Sequence, residues 1–176
     1  HPDRIDLDNQ EVYENIFHKG KWAGVFQFTE QGAQGFCTKV KPRNIIDVSA
    51  VTSIFRPGPL SAGVDADYVE AKEHPQYVSY LSDDAREITE ETFGFLIFQE
   101  QIALLAHKLG GLTLDEGNLL RKVLTKKGTG KNSVKGKLHK KFITGCVDKG
   151  IARDAAQDLW DKFEFFSGYG FNKSHA

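Results

Sequence analysis

The sequence contains no methionine and only two cysteines, Cys37 and Cys146. Two distant cysteines argue against a disulfide framework, and a reduced cytoplasmic setting suits them best. No run of about 18 apolar residues is present, so we expect no transmembrane helix, and the charged start does not resemble a signal peptide. Because the chain begins with histidine and lacks methionine, we expect a processed or split piece of a larger protein.

Several kinds of catalytic or metal site are also missing. No cysteine–histidine cluster has zinc spacing and the six histidines are scattered, so we expect no metal site within this chain. No G-x-S-x-G segment marks a nucleophile. The segment KKGTGKNS (126–133) departs from a phosphate loop, because Thr125 and Asn132 stand where that pattern needs glycine and serine or threonine.

What the chain has in excess is positive charge in its last part. Residues 1–100 hold nine Lys/Arg against 17 Asp/Glu, whereas residues 101–176 hold 14 against seven. Between Arg121 and Lys141, nine of 21 residues are basic and none is acidic. An uncompensated block of this density indicates a polyanionic partner. The alternative is a solvated helix face.

Helical spacing dominates the rest, with no internal repeat, and predicts a mainly α fold. Asn9 caps a first helix that ends near Gly20, and KWAGVFQF (21–28) is expected to be an extended connector or short strand. The prolines of RPGPL should stop the helix before them, and residues 61–90 show no strong period. The remaining helices are predicted over 42–54, from Gln99 to the Gly110–Gly111 pair, from a Thr113–Glu116 capping box through Lys127, over 133–149 and over 154–165.

Four separated patches carry the most specific signal. They are GVFQF (24–28), FRPGPL (55–60), FQEQIALLAHKLGG (98–111) with LLRKVLTKK (119–127), and GYGFNKSHA (168–176). In this order and at these separations they resemble the alpha subunit of bacterial DNA polymerase III, a family C replicative polymerase. The resemblance extends over residues 5–176, and substitutions such as Leu104 and Thr125 suggest a divergent, viral or split form.

The resemblance implies the helical fingers domain of a DNA-directed DNA polymerase, with residues 1–20 as the lead-in from a palm and residues 21–176 as the fingers. The palm, outside this chain, would hold the catalytic Mg²⁺, so the chain alone should be inactive. Its partners would be dNTP, a DNA template-primer, the palm-bearing and C-terminal polymerase segments and, through other segments, a sliding clamp, all in the cytoplasm. The alternative is a non-enzymatic nucleic-acid-binding module that uses residues 121–141.

The resemblance also assigns residues to the two ligands. A triphosphate carries about four negative charges and needs fixed cations. The implied nucleotide-binding residues are Arg121, Lys122, Lys126, Lys127, Arg56, Tyr169, Phe171, Asn172, Lys173, Ser174 and His175. The implied DNA-binding residues are Lys131, Lys135, Lys137, Lys140 and Lys141.

One position departs from the family pattern, and two other interpretations have a purely structural alternative. Lys122 stands where the family has arginine, which keeps the charge but loses the bidentate fork. Arg56 lies between Phe55 and Pro57 on a rigid turn, which favours a structural role. Gln99–Gln101 are adequately explained as the start of a helix, where Glu100 favours the dipole. We also expect the order of residues 167–176 to depend on chain beyond Ala176.

Overall fold

The computed structural model describes residues 4–124 and 133–176. Over those residues the chain is helical and forms no β-strand, and an isolated parallel bridge joins Phe98 to Phe171. The mainly α fold class is therefore confirmed. Within the same ranges, no helix combines the length and the apolar composition needed to span a membrane.

The chain divides into two compact units, His1–Tyr77 with Ala176, and Val78–His175. The helices of the first unit are α1 (Gln10–Val12), α2 (Gln31–Val40), α3 (Ile45–Ile54), α4 (Pro57–Ser61) and α5 (Val64–Glu73). Those of the second unit are α6 (Asp83–Thr89), α7 (Gln99–Lys108), α8 (Leu114–Leu124), α9 (Val134–Asp148) and α10 (Arg153–Ser167). The division into a lead-in over 1–20 and a domain over 21–176 stays a prediction.

The first helix begins where the sequence predicts. The side chain of Asn9 accepts a hydrogen bond from the backbone N–H of Glu11 at 3.0 Å, which satisfies one of the free donors of α1. The chain continues through a π-helical turn, Tyr13–Phe17, and reverses at Gly20, whose φ is +65°. The buried Tyr13 anchors this segment.

The connector over residues 21–28 is wound into turns, so the expected extended connector or strand is wrong. The N–H of Val25 donates to the carbonyl of Trp22 at 3.0 Å, and the N–H of Phe28 donates to the carbonyl of Val25 at 3.4 Å. The rings of Trp22 and Phe28 stack with centroids 5.3 Å apart. Packing between these aromatic rings holds the turns, and no neighbouring strand in the described chain offers a ladder partner.

The segment that contains Pro57 and Pro59 ends helix α3 and begins helix α4. Helix α3 ends at Ile54, which confirms the predicted stop. Pro57 is also the first residue of α4, where its missing N–H leaves no bond unmade and its fixed φ suits a helix. Arg56 precedes it in an extended conformation, and its Nε–H donates to the carbonyl of Ser53 at 2.8 Å.

Sequence periodicity did not predict α2, α4, α5 or α6. Helix α2 carries Gly32 and Gly35 within ten residues, and each glycine costs about 1 kcal/mol of helix propensity relative to alanine. It nevertheless buries Phe36, Cys37 and Val40 on one face. Tertiary burial therefore overrides a weak local preference.

The core of the second unit lies among α7, α8, α9 and α10, and all four of these helices were predicted. Phe142 is fully buried, with its ring 5.3 Å from that of Phe163 and 5.6 Å from that of Trp160. The capping box also forms: the N–H of Thr113 donates to Glu116 Oε2 at 2.7 Å, and the N–H of Glu116 donates to Thr113 Oγ1 at 3.1 Å.

The loop that follows α7 approaches α9 at a pair of glycines, Gly110 and Gly145. A Cβ added to Gly145 would lie 2.0 Å from the carbonyl oxygen of Gly110, and a Cβ added to Gly110 would lie 2.1 Å from the Phe142 ring. Neither position has room for a side chain. The loop between α7 and α8 is thereby held against α9.

Both cysteines are buried, free thiols, one in each unit. Burial raises the pKa of Cys37 to about 12 and that of Cys146 to about 11, so both thiols are neutral and unreactive at physiological pH. This agrees with the prediction that the two cysteines form no disulfide framework.

Candidate functional site

The N-terminus of α7 is fixed by a buried glutamine. Gln101 is 3% exposed, and its Oε1 accepts hydrogen bonds from the backbone N–H groups of Ile97 (2.9 Å) and Phe98 (3.0 Å). Its amide nitrogen donates to Thr92 Oγ1 at 2.7 Å. The structural interpretation of Gln101 is confirmed, because all of these contacts serve the start of the helix.

The closing segment of the chain is joined to this helix start. The N–H of Gln99 donates to the carbonyl of Phe171 at 2.8 Å, and the N–H of Phe171 donates to the carbonyl of Ile97 at 3.1 Å. The Gln99 side chain donates to the carbonyl of Gly170 at 2.9 Å. A Cβ on Gly170 would lie 2.9 Å from Gln99 Cγ, so glycine permits this close approach.

These bonds correct one premise of the sequence analysis. We expected residues 167–176 to find no packing partners except in chain beyond Ala176. The segment instead bonds to the start of α7, far away in sequence but within the same unit. Turn propensity and helical spacing carry no information about such a contact.

Glu100 connects the closing segment to α8. Its Oε2 accepts from the backbone N–H of Lys173 at 3.1 Å, and its Oε1 lies 3.5 Å from a terminal nitrogen of Arg121. The Lys173 ammonium pairs with Glu91 at 2.6 Å and lies 5.5 Å from the centre of the Phe98 ring. We name the group formed by Glu100, Arg121 and Lys173 the Glu100 junction.

Arg121 keeps an unused donor within the Glu100 junction. Its side chain is 23% exposed, and its Nε is buried without a hydrogen-bond partner in the described chain. A buried unpaired N–H is costly, by about 1–3 kcal/mol. The contact to Glu100 is long and partly exposed, and such ion pairs contribute at most about 1 kcal/mol. Arg121 is therefore held in position but can bind an anion.

Comparison with known proteins identifies the fold. A family model described as the bacterial DNA polymerase III alpha subunit finger domain matches residues 1–150. The chain belongs to this finger domain family. The DNA polymerase III subunit alpha of Aquifex aeolicus (strain VF5) is 34% identical over 98% of the chain. Those of Campylobacter jejuni and Bacillus subtilis are each 33% identical, over 98% and 92% of the chain.

This finger domain spans only 14% of the length of these curated relatives. The resemblance inferred from the four sequence patches is confirmed, because both the family model and the relatives cover most of the same residues. Within residues 4–124 and 133–176, no group of three or more His, Cys, Asp and Glu side chains could hold a metal ion.

The remaining closing-segment residues of the finger domain make mostly local contacts. Tyr169 packs edge-on against Phe165 at 5.6 Å, and Phe171 stacks on His175 at 5.8 Å. Asn172 Oδ1 accepts from Ser174, from its N–H at 3.1 Å and its hydroxyl at 2.6 Å. These bonds form a single 3-10 turn, so the described residues hold no α-helix N-terminus here to bind an anion.

Several lysines of the finger domain are paired with acids, so the expectation of an uncompensated basic block is wrong for them. Lys135 pairs with Glu164 at 2.8 Å, and Lys141 pairs with Glu116 at 2.7 Å. The hydrogen bond from Lys141 and that from the Thr113 backbone hold the pKa of Glu116 below its ordinary value. The acids come from other helices, which a count along the sequence cannot detect.

Two lysines on α9 keep their charge available. Lys137 and Lys140 are exposed, and no carboxylate of the described chain pairs with either of them. They are spaced three residues apart on one helix and thus lie near each other on its surface. Of the four predicted DNA-binding lysines that the structure describes, Lys137 and Lys140 are the two without a carboxylate partner in the described chain.

The structure does not bring all the predicted residues together. Lys126, Lys127 and Lys131 lie outside the described residues. Lys122 is exposed beside Arg121 on α8. Arg56 belongs to the first unit, where burial lowers the pKa of its guanidinium and the Ser53 carbonyl accepts its Nε–H.

Sequence reasoning missed the roles of Glu100 and Glu91. Glu100 was interpreted as a favourable charge at a helix N-terminus, and Glu91 was not considered. Their partners are distant in sequence, so no helical or strand period links them. The QEQ motif (99–101) was the only available signal, and it marks the position without revealing the contacts.

Proposed function

We propose that this chain is the part of a DNA polymerase that binds the triphosphate of the incoming dNTP and the DNA template-primer. The nucleotidyl transfer itself takes place on a palm outside the chain, and the palm carboxylates hold the Mg²⁺. The observation that supports this proposal is the Glu100 junction. It joins the Arg121 guanidinium to the backbone N–H of Lys173, and the resemblance assigns both residues independently to the nucleotide.

The chemistry of the junction suits a triphosphate. An arginine donates two parallel hydrogen bonds to phosphate oxygens, and these charge-assisted bonds are stronger than neutral ones. Glu100 orients Arg121 through one terminal nitrogen and leaves the buried Nε–H without a partner in the described chain. We propose that three lysines add point charges to the same ligand: Lys122, Lys126 and Lys127.

The closing segment supplies the groups for the sugar and the base. Tyr169 and Phe171 are half-buried rings at the same edge of the second unit as the start of α7. An aromatic face stacks on a base or packs against a sugar. The Asn172 amide, Ser174 and His175 are exposed and polar. Arg56 is proposed as a nucleotide contact as well, in addition to its bond to Ser53.

The first test is complementation. The chain alone is expected to extend no primer, because the carboxylates that hold the catalytic metal lie in the palm. Mixing or joining it with the palm-bearing and C-terminal polymerase segments is expected to give template-directed extension, measured on a labelled primer with Mg²⁺ and all four dNTPs. Extension by the chain alone would contradict the proposal. Absence of extension by the joined protein, despite intact folding by circular dichroism, would also contradict it.

The predicted DNA-binding lysines give the second test. Replacing Lys131, Lys135, Lys137, Lys140 and Lys141 together by Gln should weaken binding to duplex DNA and reduce the slope of log K against log [salt]. The slope is expected to change by roughly 0.9 for each phosphate that the protein no longer neutralises. Fluorescence anisotropy at several KCl concentrations measures both quantities.

A variant with only two substitutions makes this test more specific. Lys137→Gln with Lys140→Gln should account for most of the change, because these two lysines have no acidic partner in the described chain. Arg153→Gln with Lys162→Gln on α10 removes the same charge and is the matched control. Equal effects of the two pairs would mean that net charge, and not this face of α9, controls binding to DNA.

The cytoplasmic location and the sliding clamp, reached through other segments, belong to the same proposal. Both follow from the replicative role of the polymerase family.

A further inference from the structure

The first unit contains a groove of about 470 Å³ that the nucleotide site does not use. It lies where α2 ends and the chain turns toward α3, beside the end of α5 and the following 3-10 turn. The residues that line it are Lys39, Val40, Lys41, Arg43, Lys72, Glu73, Pro75 and Gln76. All of these residues belong to one compact unit.

The groove is cationic within a unit that is otherwise acidic. Residues 1–77 hold eight Lys/Arg against 11 Asp/Glu, yet the lining contains four basic side chains and one acid, Glu73. Lys39, Lys41 and Arg43 are exposed, and no carboxylate of the described chain pairs with them. Three positive charges within five residues repel one another, so a bound anion stabilises them.

A buried carboxylate organises the groove. Asp47 is 2% exposed, and its Oδ2 accepts from the Lys72 ammonium at 2.5 Å and from the backbone N–H of Arg43 at 2.8 Å. The Lys72 side chain is itself 11% exposed. One atom therefore holds two parts of the lining, the segment after α2 and the end of α5. This makes the groove a built feature and not a chance collection of surface lysines.

The backbone conformation of Lys41 indicates that its side chain has a role in the groove. Lys41 is the C-cap of α2 and has φ +48° and ψ +66°, the left-handed conformation. Glycine or asparagine is preferred at this position of a helix end, and a long side chain there is strained. A strained residue at a charged groove is consistent with selection for the charge of the side chain and not for stability.

We propose that this groove binds the sugar-phosphate backbone of a nucleic-acid strand. The three exposed cations succeed one another along residues 39–43 instead of converging on a point. That arrangement suits repeated phosphates, which lysines and arginines neutralise without reading sequence. The lining residues belong to the first unit, whereas the Glu100 junction and α9 belong to the second. The inference rests on the DNA binding of the proposed function for its ligand, and on the groove's own residues for the site.

The test compares two double variants of the 176-residue chain. Lys39→Gln with Arg43→Gln is expected to lower affinity for a labelled single-stranded oligonucleotide several-fold. The slope of log K against log [KCl] should fall by roughly 1.4, about 0.7 for each phosphate contact on a single strand. Lys19→Gln with Lys21→Gln removes two exposed charges from the same unit outside the groove and should leave the slope unchanged. Equal losses of affinity in the two variants would overturn the proposal.

A competition experiment distinguishes the source of the phosphate. If the groove binds a strand, pyrophosphate should displace the oligonucleotide from the wild-type chain no better than KCl of equal ionic strength. Stronger displacement that disappears in the Lys39→Gln, Arg43→Gln variant would assign the groove to free phosphates and overturn the strand assignment. Neither result involves dNTP incorporation, so the outcome is independent of the nucleotide-binding part of the proposed function.

Lys41→Gly separates binding from folding. Glycine relieves the left-handed strain, so the thermal midpoint should rise by about 2–4 °C, a shift typical of one stabilising change in a chain of this size. The affinity for the oligonucleotide should nevertheless fall. A variant that is more stable but binds equally well would show that Lys41 makes no phosphate contact, contrary to the proposal.

Discussion

Replacing Arg121 with alanine in the assembled polymerase should lower kcat/KM for nucleotide incorporation about 100-fold, which corresponds to about 2.7 kcal/mol. The physical reason is the loss of charge-assisted hydrogen bonds to the triphosphate from a guanidinium that Glu100 already orients. The loss should appear mainly in KM, because the contact is made in the ground state as well as the transition state. Single-turnover incorporation over a range of dNTP concentrations measures both constants.

Three control variants make this prediction specific. Arg121→Lys keeps the charge but loses the fork and should fall between wild type and alanine. Glu100→Gln keeps an acceptor for the Lys173 N–H but weakens the hold on Arg121, so it should raise KM less than Arg121→Ala does. Lys162→Ala removes an exposed cation from α10 and should change neither constant.

DNA affinity decides whether Arg121 acts on the nucleotide. Template-primer binding by the Arg121→Ala variant, measured by anisotropy without dNTP, should stay within about twofold of wild type. If DNA affinity falls as much as nucleotide affinity while the melting temperature is unchanged, Arg121 is a DNA contact. The assignment of the Glu100 junction to the triphosphate would then be wrong.

The Gly145→Ala variant should lose about 3 kcal/mol in free energy of unfolding, at the upper end of the usual range for overpacking. Its new Cβ would lie 2.0 Å from the carbonyl oxygen of Gly110, a backbone atom that no side-chain rotation can move away. The loop after α7 and helix α9 must separate, which disturbs the packing of the fully buried Phe142 against Gly110. Urea unfolding followed by circular dichroism measures the change.

Gly35→Ala is the matched control for a glycine inside a helix. Gly35 lies in α2 with nothing within 4 Å of an added Cβ. Alanine there should stabilise the chain by about 0.5–1 kcal/mol, since it lowers the entropy of the unfolded state. The two substitutions are chemically identical, so their opposite signs would isolate the close approach at Gly145. A Gly145→Ala variant as stable as wild type would contradict the observed close approach of the Gly110 backbone to α9.

The elements that the sequence predicted correctly are those with strong local signals. The cap at Asn9, the Thr113–Glu116 capping box and the broad apolar face of α10 each involve residues within one or two turns, so spacing alone identifies them. Helices with weak local signals were not predicted. Helix α2 contains two glycines, and α6 has only seven residues. The turns over residues 21–28 were mistaken for an extended segment, since aromatic residues favour strands when no packing partner is known.

For the candidate site too, some features could be predicted from the sequence and others could not. The sequence by itself determined the family, the helical class and the identity of the cations, because these depend on residue types and their order. Only the tertiary structure decided that Glu100 connects Arg121 to Lys173 and that Lys135 and Lys141 are neutralised by Glu164 and Glu116. Electrostatic interactions depend on distance in space, and the partners are brought together by helix packing that no local period encodes.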